Sequence, residues 1–362
     1  MEFNRKVLDS GLTILHEKRD VPVTTVMIAV NYGSGFDSIE EKGMAHFIEH
    51  LCFKGTKKRD SKEIASEVER LGGNINAFTH DELTAYNAKL PSRHLRVAMD
   101  VLFDVFFNAS IPEEEVKREA NVICEEIKMY NDNPRAHTIE KLKSNLYKEP
   151  FGIFAAGREE NIKRFSRDKI FNKHKEIYVP KNAIVCVVGN NDFEEVVSLT
   201  EEFTIKRKGE KASMPKIEKQ NIESFEKRKD LKQTNLAIGF HIPHDNSKGR
   251  YISEVFSSIL GEGMSSKLFT EVREKRGLVY SIRSDIDLGR DYGYLIIWAG
   301  TEPGKTEEVK RICLEEFSKM KDISEEELEE AKIQLIGNRE VESENSNEVA
   351  INLIFEEIKG KA

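Results

Sequence analysis

Alternation of apolar and polar positions dominates the start of the chain. Residues 6–17 give two short strand-like pieces about the turn Asp9-Ser10-Gly11, and 21–32 is β-branched and alternating, so it predicts a strand leading into the Gly33-Ser34-Gly35 loop. The period then lengthens. A helix is expected at about 40–53, and behind Ser61 the residues Ile64, Val68 and Leu71 recur once per turn until Gly72-Gly73 stops them. Residues 74–89 read as a hairpin turning near His80-Asp81-Glu82, followed by a helix at about 92–107. Ser110-Ile111-Pro112 ahead of Glu113-Glu114-Glu115 marks a helix start, with a capping serine, an early proline and acids at the positive end of the dipole. That helix should run through Tyr130, stall at 131–134 and resume to about Tyr147. Helices at 163–177 and 192–203 flank 183–189, whose unbroken apolar run predicts a strand buried on both faces.

Residues 206–219 are lysine-rich, lack an apolar period and contain a Gly and a Pro, which makes them the linker. After them the order of elements repeats. A strand at 236–242, helices at 249–260 and 265–275 (ended by Gly277) and a hairpin at 278–300 are expected. Helices at 304–321 and 323–345 follow, the latter begun by a Ser324/Glu327 capping box. The pattern predicts an α+β protein of two related α/β-roll halves, each an antiparallel-rich sheet packed by helices. The boundaries are 1–205, the linker 206–219 and 220–362.

Bulk properties narrow the function. A chain of 362 residues accommodates two domains with cores. A net charge of −8 argues against a nucleic-acid partner. The start of the chain shows no apolar run of a leader, and no stretch approaches the roughly 18 apolar residues of a membrane span. Cys52, Cys124, Cys186 and Cys313 are far apart in apolar or helical contexts, as reduced thiols of a cytoplasmic protein would be.

The candidate chemistry lies in His46-Phe47-Ile48-Glu49-His50. On a helix, His46 and His50 are one turn apart and can reach the same point, with Glu49 leaning to that side. Two neutral imidazoles with an adjacent carboxylate suit a catalytic zinc site, supplying two ligands and a general base, and the spacing is the inverted zinc-peptidase motif H-x-x-E-H. A third ligand is required. The helix at 112–130 offers Glu113, Glu114, Glu115, Glu119, Glu125 and Glu126, most of them a solvated face; Glu119 and Glu126 share a face, with Val122 and Ile123 suited to packing it inward. Spacing alone selects none of them. A closed structural zinc site would need a fourth protein ligand, for which Cys52 and His80 stay open.

The stretch Gly43-Met44-Ala45-His46-Phe47-Ile48-Glu49-His50-Leu51-Cys52-Phe53-Lys54-Gly55-Thr56 resembles the signature of the M16 (pitrilysin-type) zinc peptidases, small processing-peptidase-like subfamily. The resemblance implies a zinc endopeptidase whose halves form a clamshell around a closed chamber and which cleaves short unfolded peptides or presequence-like segments. It implies Glu126 as third ligand, roughly 76 positions beyond the second His, with Glu125 as the adjacent fallback and Glu119 supporting the site by hydrogen bond. Gly72-Gly73-Asn74-Ile75-Asn76-Ala77-Phe78-Thr79 resembles the family's substrate-side edge strand, implying Asn76, Ala77 and Phe78 in substrate binding. Two further stretches, 261–269 and 272–281, resemble the second-domain signature and imply Arg273 as a substrate contact and Tyr280 as oxyanion donor. Family members usually carry a counterpart of 163–203 at the end of the second half, so the second domain reads as shortened. A homodimer, or a heterodimer with a related subunit, is the expected assembly. The rival is a non-catalytic peptide-binding or scaffolding subunit, which would typically lack a ligand or the base.

Overall fold

The early alternation becomes strands β1 (Glu2–Val7), β2 (Thr13–Lys18) and β3 (Val23–Val30). The computed structural model describes residues 2–229, 231–244 and 249–360. Helices α1 (Met44–Cys52) and α2 (Ser61–Glu69) precede the hairpin β4 (Asn74–Thr79) and β5 (Thr84–Pro91). Next come α3 (Leu95–Asn108), α4 (Glu113–Asp132), α5 (Pro134–Leu146), the short α6 (Glu159–Ile162), α7 (Arg167–Ile177), β6 (Ala183–Gly189) and α8 (Phe193–Phe203). The second half supplies β7 (Thr234–His241), α9 (Gly249–Gly261), β8 (Val279–Leu288), β9 (Gly293–Thr301), α10 (Thr306–Lys319), α11 (Glu325–Glu342) and α12 (Ser346–Ile358). The α+β expectation holds. One sheet runs β1-β2-β6-β3-β5-β4, antiparallel except for the β2–β6 pair, and the other runs β7-β9-β8, all antiparallel.

Two compact units form, and each is discontinuous in sequence. One comprises Met1–Ile127, Phe154–Lys216 and Glu342–Ala362; the other comprises Lys128–Ile153 and Ile217–Val341. This differs from the expected division at 1–205 and 220–362, and the reason is burial. Residues Ala183, Val185 and Val187 of β6 join Val26, Ile28 and Val30 of β3 in a core beneath α1 and α3. The opposite face, with Leu15, Met27, Ala29, Ile184, Cys186 and Val188, is covered by Val349, Ala350 and Ile354 of α12, from the far end of the chain. In the second unit α5 plays the same part. Its Leu142 and Leu146 join Tyr147, Tyr292, Tyr294, Ile296 and Trp298 on one face of the hairpin, while Leu295, Ile297 and Ala299 face Leu260, Val309 and Ile312 on the other.

Residues 206–219 form neither helix nor a named strand. They are nonetheless tied down: Arg207 donates to the carbonyls of Tyr178 and Phe107 at 3.1 and 3.0 Å, and Ala212 and Met214 pack on the first core.

Three local expectations are corrected. Ser110 caps no helix; its hydroxyl donates to the Gly55 carbonyl at 2.9 Å, and α4 begins only at Glu113. Val122 is 49% exposed, so Ile123 alone of that pair packs inward. The helix expected at 265–275 is wound as a π-helical turn over Phe269–Glu274. The Ser324/Glu327 capping box is present, with Glu327 N–H donating to Ser324 Oγ at 3.1 Å and Ser324 N–H to Glu327 Oε2 at 2.8 Å.

Candidate metal centre

Helix α1 starts at Met44 because Gly43 takes a left-handed φ of 101°, where a Cβ would also meet the Ala156 carbonyl at 2.8 Å. Asp37 stands in for the missing cap. Its Oδ2 accepts from Gly43 N–H at 3.0 Å and Ala45 N–H at 3.4 Å, while Tyr32 OH donates to Oδ1 at 2.8 Å. Burial lifts this fully enclosed carboxyl to about 6, against the pull of Lys42 and the donors around it. Phe47, Ile48, Leu51 and Cys52 face the core, leaving His46, Glu49 and His50 half-buried on the remaining side of α1.

On that side the side chains converge. The imidazoles of His46 and His50 lie 4.6 Å apart, edge to face, and both Nε2 atoms are 3.6 Å from Glu126 Oε2 on α4. One donor atom from each of the three lies within 4.8 Å of the others, the one such His/Cys/Asp/Glu cluster among the described residues. A spacing of 3.6 Å is too long for a good hydrogen bond. It approaches the roughly 3.4 Å expected between two atoms each about 2.1 Å from one tetrahedral zinc. The donor chemistry, two imidazoles and one carboxylate, fits that ion.

Electrostatics separates the two rings. Burial, then the neighbouring His50, lowers His46 to about 4, keeping it neutral. His50 is driven up to about 9: burial opposes its charge, and the carboxylates of Glu119 and Glu126 outweigh burial. Glu119 Oε2 lies 3.0 Å from His50 Nδ1, and Lys54 Nζ lies 2.8 Å from Glu119 Oε1, so the buried Glu119, paired with a half-buried Lys54, fixes the far side of the ring. His50 and Lys54 hold Glu119 below the ordinary carboxylate range although burial pushes the other way. Glu126 is lowered chiefly by the His50 ring beside it. Glu49 is raised by burial and accepts a hydrogen bond at 2.5 Å from Thr79 Oγ1, at the end of edge strand β4.

The other candidates fall elsewhere. Glu125 is exposed beside Glu126. Cys52 is buried in the core, its thiol pushed up to about 12, and the His80 ring packs edge-on against Phe355. Along β4, Ile75 and Ala77 pack on the core beneath α1, and Phe78 turns to the α12 side. Asn76 is exposed, its side chain accepting from Ala77 N–H at 2.9 Å. Within the second unit, Tyr280 is 77% exposed and is the extra residue of a β-bulge between Val279 and Ser281. Arg273, on the π-helical turn, sets its guanidinium 4.7 Å from the Phe269 ring and 5.4 Å from the Tyr280 ring. Bulges and π-turns both re-aim side chains and concentrate at functional sites. Lys54, Thr79 and Asp37 carried no role in the sequence reading. The two-residue period linking Ala77 to Thr79 and the four-residue step from His50 to Lys54 hinted at two of them, and no spacing pointed to Asp37.

Comparisons with known proteins match the chain over most of its length. A family model described as insulinase (peptidase family M16) matches residues 12–155, and one described as peptidase M16 inactive domain matches 164–335. An uncharacterized zinc protease of Rickettsia felis is 35% identical over 341 residues, 93% of this chain and 82% of the relative. The uncharacterized zinc protease YmxG of Bacillus subtilis is 33% identical, over 95% of this chain and 85% of the relative. The crystal structure of a protease from Helicobacter pylori superposes with a TM-score of 0.92 at 24% identity, covering 99% of this chain and 90% of that one, a likeness of fold. No helix among the described residues is long and apolar enough to cross a membrane.

Proposed function

Because the chain belongs to peptidase family M16, we propose that it is a zinc-dependent endopeptidase acting on short unfolded peptides or presequence-like segments. The observation that carries this reading is the convergence of His46, His50 and Glu126 with Glu49 beside them. His46, His50 and Glu126 hold the metal. Zinc supplies Lewis acidity, polarising a carbonyl and making water acidic enough to react near neutral pH. Glu49 takes the proton of that water as its oxygen forms the bond to the scissile carbon. It then gives the proton to the amine as the C–N bond breaks. Glu119, held by Lys54, orients His50. The Tyr280 hydroxyl donates to the developing oxyanion and Arg273 holds a substrate carbonyl or carboxylate, roles supported by the bulge and π-turn that set them out. Asn76, Ala77 and Phe78 belong to the strand against which an extended peptide would lie. The same reading takes the protein as cytoplasmic, with its four buried free thiols, and as a homodimer or a heterodimer with a related subunit.

A second reading, a non-catalytic peptide-binding or scaffolding subunit, is favoured by the inactive-domain description that residues 164–335 match. The two separate on the metal and the base. In the catalytic reading the purified protein carries about one zinc, as three protein ligands with one open position require, and chelation abolishes cleavage of a fluorogenic peptide. Glu49→Gln keeps the metal and loses about 10²–10⁴-fold in rate. Glu126→Gln weakens zinc binding and Glu125→Gln leaves it intact. Zinc uptake without cleavage would favour the second reading, and full-rate cleavage by Glu49→Gln would sink the base assignment.

A further inference from the structure

The Glu49 carboxylate accepts one hydrogen bond among the described residues, and its donor comes from a different element. Thr79 Oγ1 lies 2.5 Å from Glu49 Oε2. The hydroxyl carries one proton, and its other neighbour, Thr84 Oγ1 at 3.5 Å, gives its own proton to the Tyr32 carbonyl at 3.0 Å. Thr84 Oγ1 could accept in turn, but an ionised carboxylate only accepts and lies far nearer, at 2.5 Å against 3.5 Å, so the Thr79 proton goes to Glu49 in a short charge-assisted bond. Oε2 is engaged and Oε1 stays available.

The donor is anchored. Thr79 ends β4 opposite Thr84 in β5, and the turn closes with His80 N–H donating to the Leu83 carbonyl at 2.8 Å. That turn is pinned in its place. Ser34 N–H donates to the His80 carbonyl and Gly35 N–H to the Asp81 carbonyl, each at 2.9 Å, and Ser34 Oγ donates to Asp81 Oδ1 at 2.8 Å. Glu49 itself sits on α1 beside both imidazoles, with a long side chain that several rotamers could carry away from the centre. A fixed donor on a neighbouring strand removes that freedom.

We infer that Thr79 is a positioning residue of the hydrolytic site: its hydroxyl, held by the edge strand, fixes the Glu49 carboxylate so that Oε1 faces the reacting water. The inference rests on the peptidase reading. It separates Thr79 from its neighbours on β4, because Asn76, Ala77 and Phe78 would act on peptide binding and Thr79 on the proton-transfer step.

The test compares Thr79→Val, which keeps the shape and loses the hydroxyl, with Thr79→Ser, which keeps the hydroxyl. Zinc affinity is read by competition with a chromogenic chelator, and kcat and KM with a fluorogenic peptide. Thr79→Val should lose about 10- to 100-fold in kcat, the span of a hydrogen bond to a charged group, with KM and zinc affinity unchanged, and Thr79→Ser should recover most of it. In a Glu49→Gln background, Thr79→Val should cost little more. Wild-type protein that neither takes up zinc nor cleaves overturns the peptidase reading and this inference together. Wild-type cleavage with an undiminished Thr79→Val overturns this inference alone. So does a loss confined to KM, an equal loss in Thr79→Ser, or a full further loss in the Glu49→Gln background.

Discussion

Helices α1 and α9 hold corresponding places in the two halves, and so do α4 and α11, yet only one pair gathers chemistry. In α1 and α4, two imidazoles and two carboxylates converge, with Glu119 only 4% exposed. In α9, the buried positions are Ser253, Ser257, Ser258, Ile259, Leu260 and Gly261, none of them an imidazole or a carboxylate, and Ser257 and Ser284 hydroxyls meet at 3.0 Å. Gly261 brings that helix so close to β8 that a Cβ would lie 2.4 Å from the Ser284 nitrogen. On α11 only Ala331 is buried, and its charges pair along the surface, as Lys332 does with Glu329 at 2.6 Å. One order of elements thus serves the His46, His50 and Glu126 cluster in the first half and close packing in the second, by exchange of a handful of side chains.

The largest break in this contrast would be chemistry supplied by the second half. Under the proposed function, Tyr280→Phe removes one hydroxyl donor and should cost roughly 10²–10³ in kcat, or about 2.7–4 kcal/mol, with zinc content unchanged. Parental turnover in that variant and in Arg273→Ala would leave the second half without a catalytic part.

A smaller effect sharpens the exchange of covering helices. Ile354 of α12 is 1% exposed in the first unit, so Ile354→Val should lower stability by about 0.5–1.5 kcal/mol in urea unfolding. No loss would mean α12 contributes little to the sheet it covers.

The last test concerns the cap of α1, through a drift with pH rather than a fixed loss. The folded Asp37 carboxyl titrates at about 6, above its ordinary 3.8. Between those values the folded state holds the proton more tightly, so this group costs stability progressively as pH rises from about 4 to about 6. Asp37→Asn lacks that dependence. Whatever its offset, its Tm relative to the parent should drift in its favour across the window and level above it. A constant difference from pH 4 to 7 would count against the buried titration.

Local chemistry was legible wherever local periodicity decided it. His46 and His50 share a point because 3.6 residues make a turn. Gly72-Gly73 ends α2, and Ser324 with Glu327 caps α11 through contacts three residues apart. The unbroken apolar run of β6 correctly announced two buried faces. It could not name the second cover, because α12 is far along the chain and any apolar helix face satisfies the same pattern. Tertiary structure alone also brought Glu126 rather than exposed Glu125 to the imidazoles, joined Lys54 to Glu119, and carried the Thr79 hydroxyl to Glu49. Each of these turns on a few tenths of an ångström between side chains of different elements, which packing sets and sequence spacing does not encode.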